Sequence, residues 1–157
     1  MDIEYAIDKE KDDNRYLKDF NDSTHFFTKL EETEHFNRHD FDGIDRDGRA
    51  VVIEHKARTP QYNLEFFKTH PIYIEVDKFR HLKQQDAIPL YINYLEKGKY
   101  VLIFPLDNIN ECELARKETV IQNFSKQIEE YVERLLLPLE LALIYKKDGL
   151  KYKRILI

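Results

Sequence analysis

The chain has 157 residues, with only four glycines, five prolines and a single cysteine. This size supports one domain, residues 1–157, whose core needs no disulfide and no cysteine-based zinc site. A formal charge of −5 argues against a protein that coats nucleic acid by bulk electrostatics. No apolar run reaches the length of a membrane span, and the acidic opening MDIEYAIDKEKDD is no secretory signal. The lone Cys112 suits a reducing compartment, so a cytoplasmic protein is expected.

Charge is unevenly spread. Residues 1–50 hold 15 acidic and 8 basic side chains, whereas residues 51–100 hold 6 and 8. Residues 4–20 read as a charged helix with Tyr5, Ile7, Tyr16, Leu17 and Phe20 as apolar positions, ended by Asn21-Asp22-Ser23. Residues 24–34, with Phe26, Phe27 and Leu30, read as a second short helix. From Phe41 to Ala57 the period changes to that of two strands around a tight turn at Asp47-Gly48. Residues 58–71 read as an irregular connection, Ile72–Glu75 as a short extended or helix-entry segment, and Asp77–Gln85 as a helix with Phe79 and Leu82 three apart. Ile88–Leu95 and Tyr100–Phe104 follow as strands around a turn at Glu96-Lys97-Gly98-Lys99.

Residues 118–143 fit two periods. Ile128, Tyr131, Val132, Leu135 and Leu136 form a helical stripe, and the same stretch reads tolerably as strand. In either case residues 128–136 are expected in the core; an exposed apolar patch near 128–141 would instead mark a protein-interaction domain. Residues 141–157 read as a hairpin around Lys147-Asp148-Gly149. The element order predicts an α/β or α+β fold, a mixed central sheet flanked by helices.

The chemistry-bearing pattern is Phe41-Asp42-Gly43, ten residues, then Glu54-His55-Lys56. Side chains alternate along a strand, so Glu54, Lys56 and Val52 share one face while Val51, Ile53 and His55 share the other. The turn decides where Asp42 points. A two-residue loop at Asp47-Gly48 would pair Asp42 with Ile53 and face it away from Glu54. A three-residue loop, Arg46-Asp47-Gly48, pairs it with Val52 on the Glu54 face and puts glycine at the left-handed position. Asp40 then lies opposite Glu54 as a spare candidate ligand. Two carboxylates and a lysine on one strand-end face suit a Mg²⁺ or Mn²⁺ site for phosphodiester hydrolysis.

An aspartate, a hairpin, then two apolar residues and Glu-x-Lys resembles the core of the PD-(D/E)XK nuclease superfamily, with Phe41 where proline often stands. The resemblance implies a restriction-endonuclease-like fold and metal-dependent cleavage of DNA, more rarely RNA. It makes Asp42 and Glu54 metal ligands and Lys56 the catalytic lysine. It also implies a glutamate on the first helix, for which Glu10 is the first choice and Glu4 the second. Ile74–Leu82 resembles a segment of phage and bacterial members in which a lysine opens a helix, so Lys78 becomes a candidate phosphate contact. Size and family together imply a stand-alone catalytic domain, which often forms homodimers.

Other residues carry weaker signals. Arg58 and Lys68 are candidate nucleic-acid contacts on loops. Tyr62 is read as packing rather than base stacking. His35, His39 and Asp40 invite a zinc reading, but no further ligand stands out. His55 points away from Glu54 and is read as a core residue.

Overall fold

The computed structural model describes the backbone of residues 3–34, 38–123 and 128–157, and their side chains from Lys11 onward except those of 121–123. In chain order the elements are α1 (Ile3–Thr24), β1 (Phe27–Glu32), β2 (Phe41–Asp45), β3 (Ala50–Ala57), α2 (Leu64–Thr69), β4 (Ile72–Glu75) and α3 (Val76–Gln84). There follow β5 (Ile88–Leu95), β6 (Tyr100–Pro105), β7 (Arg116–Asn123), β8 (Ile128–Leu137), β9 (Leu143–Asp148) and β10 (Lys151–Ile155). The fold is mixed α+β. Seven strands form one sheet in the order β1-β2-β3-β5-β6-β9-β10, and β4-β8-β7 form a smaller one. Within the large sheet β3 and β5 run parallel and the other neighbours antiparallel.

The central strands are the most apolar. β3 and β5 are buried over most of their lengths, as expected of strands covered on both faces. One face packs against α1, whose Leu17 and Phe20 meet Val51, Ile53, Ile92, Tyr94 and Ile103. The other face packs against α2, α3 and the small sheet through Val52, Tyr91, Leu102, Phe79, Leu82, Ile74, Leu135 and Leu137. Both sheets therefore share that second core. Among the described residues, no helix is long and apolar enough to cross a membrane.

Three expectations change. Residues 27–32 form the edge strand β1, not a helix. His25 takes a left-handed φ of 51°, and the Asn21 side chain accepts from Phe27 N at 2.8 Å and donates to Phe27 O at 3.1 Å. That amide stops the helix and starts the strand. The connection 58–71 contains α2, capped by Asn63, whose Oδ1 accepts from Phe66 N at 2.9 Å. Residues 116–137 are the antiparallel ribbon β7–β8, and only its inner end belongs to the core: Leu135 and Leu137 are buried, while Val120, Ile128 and Tyr131 are exposed.

Candidate functional site

The β2–β3 hairpin has the three-residue loop. Asp45 N donates to Arg49 O at 2.9 Å, Gly48 N to Asp45 O at 3.0 Å, and Gly48 has φ +81°. Asp42 consequently pairs with Val52. The loop is held by the Asp45 carboxylate, which accepts from Asp47 N, Arg49 N and Arg49 Nε, each at 2.9 Å. Burial pushes that carboxyl upward, but these donors and the Arg49 charge outweigh it and hold its pKa below the ordinary value.

Glu54 is buried on β3 at the edge of a cleft of about 530 Å³, which is also lined by Arg38, Asp40, Asp77, Lys78, Arg80, His81 and Gln84. Its Oε1 accepts from Lys78 Nζ of α3 at 2.8 Å. Its other charged neighbour is Asp40, which sits beside it because Asp40 N donates to Ile53 O at 2.8 Å and Asp40 Oδ2 accepts from His55 N at 2.9 Å. Burial first, and the Asp40 charge second, raise the Glu54 pKa from 4.5 to about 7 against the pull of Lys78. Burial would lower the Lys78 ammonium, but Glu54, with Glu75 as a further contributor, holds it above its ordinary value.

Asp42 reaches the same face by register, but its carboxylate is engaged elsewhere. Its Oδ1 lies 2.7 Å from His39 Nε2, and His39 Nδ1 lies 3.0 Å from His81 Nε2 of α3, with the two rings stacked. With Asp42 ionised, His39 donates through Nε2 and accepts through Nδ1, so His81 donates to it. Sequence reasoning missed this chain, which joins positions 42 residues apart. The local signal was His39 standing three residues before Asp42. The acidic neighbour acting on Glu54 is thus Asp40, the spare ligand of the sequence reading.

Lys56 is exposed on the Glu54 face and lines a second, smaller cavity of about 60 Å³ with Glu54, Arg58, Tyr73, Lys78 and Tyr91. Arg58 is not held as an open loop cation. Its Nε donates to Asn93 Oδ1 at 2.7 Å, and its Nη2 donates to Tyr91 Oη at 2.9 Å and Tyr73 O at 3.3 Å. It ties β3 to β5 and β4. Lys68 lies on α2, 2.7 Å from Glu65, and lines a different cavity, so it does not join the Glu54 cluster. The side chains of Glu10 and Glu4, and all of His35, lie outside the described residues. His55 faces the α1 side, buried, with Nδ1 2.8 Å from Tyr94 Oη. Tyr62 packs on Phe66 and Phe67.

Among the described residues, no group of three or more His, Cys, Asp or Glu side chains is arranged as a metal cage. A scan against protein-family models finds no match to this chain, and a search of curated proteins finds none either.

Proposed function

We propose that the chain is a metal-dependent nuclease of the PD-(D/E)XK type, hydrolysing phosphodiester bonds, with DNA as the substrate. The observation that carries this reading is the convergence at the end of β3. A buried Glu54 and an exposed Lys56 share one face, the three-residue loop brings Asp42 to that face, and Asp40 stands beside Glu54. The element order supports it too: a helix, three antiparallel strands, then a helix leading to a strand parallel to the third.

The donor set fits Mg²⁺ or Mn²⁺. Such an ion needs hard oxygens, takes one or two carboxylates and keeps several waters, so a three-residue cage is not required. The Glu54 pKa is raised by burial first and by the Asp40 carboxylate second, despite Lys78 beside it. Asp42 and Glu54 would hold the ion, with Asp40 alongside. When bound, it supplies Lewis-acid polarisation of the phosphate and an activated water. Lys56 orients the attacking water or meets the charge growing on phosphorus. Lys78, half-exposed in the cleft, supplies a cation for a flanking phosphate. On this reading the protein is cytoplasmic, a location that a lone, exposed thiol at Cys112 suits.

The test is incubation with supercoiled plasmid and Mg²⁺ or Mn²⁺, with Lys56→Ala, Glu54→Gln and an EDTA control alongside. Metal-dependent nicking by the native protein, reduced at least about 100-fold in both variants, is the expected result. No cleavage of plasmid, branched DNA or RNA, with no metal-induced rise in melting temperature, overturns it.

One observation favours a second reading, a catalytically inactive nuclease-fold module that binds nucleic acid or protein. Glu54 already has Lys78 at 2.8 Å, and Asp42 already has His39 at 2.7 Å. In that case added Mg²⁺ leaves stability unchanged.

A further inference from the structure

The β4–β8–β7 sheet has two unlike faces. Ile72, Ile74, Leu135 and Leu137 turn one of them into the core. Alternation along the strands puts Tyr73, Glu75, Lys117 and Arg134 together on the other. There Lys117 stands directly opposite Arg134. Like charges in that position destabilise a strand pair. Both nevertheless gather over one ring, with Lys117 Nζ 5.7 Å and the Arg134 guanidinium carbon 5.8 Å from the Tyr73 centroid. An aromatic face attracts cations but carries no net charge to cancel them. Among the described residues, neither cation forms an ion pair.

The face continues to the Glu54 site. Tyr73 and Arg134 line the small cavity that also contains Glu54, Lys56 and Arg58. The Arg58 hydrogen bonds end on neutral acceptors, so they leave its charge uncancelled. A line of cations thus runs from Lys56 and Arg58 at the end of β3, across β4, to Arg134 and Lys117. Two carboxylates border it. Glu54 is held by Lys78, and Glu75 is the register partner of Arg134. The cations outnumber these acids, although the chain as a whole carries −5. A local excess of positive charge at the mouth of such a site suits a polyanion.

We infer that this face of the small sheet is a track for the phosphodiester backbone of DNA, in which Lys117 and Arg134 contact phosphates on the flank of the Glu54 site away from the α3 cleft. The inference rests on DNA as the ligand of that site, not on its cleavage. Lys78 serves a phosphate in the cleft, and the Lys117–Arg134 pair serves those that follow along β4 and β7–β8. Such contacts fix the position of a strand and carry no sequence information. Tyr73, with two cations already over its ring, supports them and is no base-stacking platform.

The test is fluorescence anisotropy of labelled duplex DNA with the full chain in EDTA, so that binding is read without cleavage, run beside the plasmid assay. The native protein should bind different duplex sequences alike, and more weakly as salt rises. Lys117→Ala/Arg134→Gln should weaken binding on the order of 10-fold and reduce the slope of log affinity against log salt by about 2. Lys117→Ala alone, at an exposed position, should reduce the slope by about 1. Lys151→Ala/Lys153→Ala removes the same charge from exposed positions on the β10 edge and should leave affinity and slope close to native. Circular dichroism and melting check that each variant is folded. Binding weakened as expected supports the track even where the native protein cuts nothing, a result that sinks the nuclease reading alone. Cleavage by the native protein, with binding indifferent to Lys117 and Arg134, overturns the track alone. No native binding at low salt, or an equal loss in the β10 variant, overturns the track as well.

Discussion

Lys78 Nζ lies 2.8 Å from Glu54 Oε1, and yet the Glu54 pKa is raised to about 7. Burial and the neighbouring Asp40 together outweigh the lysine, which is itself half-exposed. Between the ordinary value of 4.5 and about 7, the folded protein therefore holds a proton that the unfolded chain has released. Stability falls as pH rises through that window. Glu54→Gln removes this dependence. It should be the more stable protein above the window by up to about 3 kcal/mol, and should gain little below it. Urea unfolding of both proteins at the two ends of the window measures this; parallel pH profiles would sink the assignment.

The same proton governs cation binding. A divalent ion placed against Glu54 must displace the proton and then takes over the role that Lys78 fills incompletely. The melting-temperature gain from Mg²⁺ should therefore be larger at about pH 8 than at about pH 5.5, because ligand carboxylates bind metal only when ionised. Glu54→Gln and Asp42→Asn should lose most of the gain at both pH values. Calorimetric scans with and without Mg²⁺ check it, and an equal gain in Glu54→Gln places the ion elsewhere.

The register of Asp42 was legible because it rests on local chemistry. Gly48 has the left-handed φ that closes a three-residue loop, and once the loop length is set, alternation places every side chain on β2 and β3. α3 was legible for a similar reason, since Val76, Phe79 and Leu82 recur every three residues on one buried face. β1 was not. It is an edge strand whose only buried residue is Phe27, so no alternation marks it, and the helix stop lies in an Asn21 side-chain clamp. The outer ribbon of β7–β8 shows no buried face to reveal its period, which left helix and strand equally plausible over residues 128–136. At the site, the roles of Asp40 and Asp42 depend on partners distant in sequence. His81 reaches Asp42 through His39, and Lys78 reaches Glu54 from α3. No spacing rule covers such contacts.

Arg58 is a structural residue, and its loss should register in stability. Its guanidinium bridges Asn93, Tyr91 and the Tyr73 carbonyl, and Asn93 is fully buried. Arg58→Ala takes away the Asn93 Oδ1 partner. It should destabilise by about 2 kcal/mol, the cost of stranding a buried polar group. Arg58→Lys should not restore this, because an ammonium cannot reproduce the planar fork. Chemical denaturation of the two variants decides it. A full rescue by lysine would return Arg58 to the set of simple surface cations.

The hairpin loop separates stability from site geometry. Gly48 has φ +81° with nothing within 4 Å of an added Cβ, so Gly48→Ala meets only backbone strain. It should cost about 1 kcal/mol, and Gly48→Asn less, since asparagine tolerates the left-handed region. Neither alters the Asp42–Val52 pairing, so the Mg²⁺-induced rise in melting temperature should persist in both. Deleting Ile44 acts differently. It keeps the three-residue loop between Asp45 and Arg49 but moves every earlier residue of β2 one place along β3. Asp42 then pairs with Val51 and points to the α1 face, away from Glu54, while Phe41 loses its place in the core beside His55. The deletion should therefore lose the metal response, whereas Gly48→Ala, destabilised but in register, keeps it. Measuring both variants by thermal shift with and without Mg²⁺ distinguishes a site that depends on the face Asp42 occupies from one that does not.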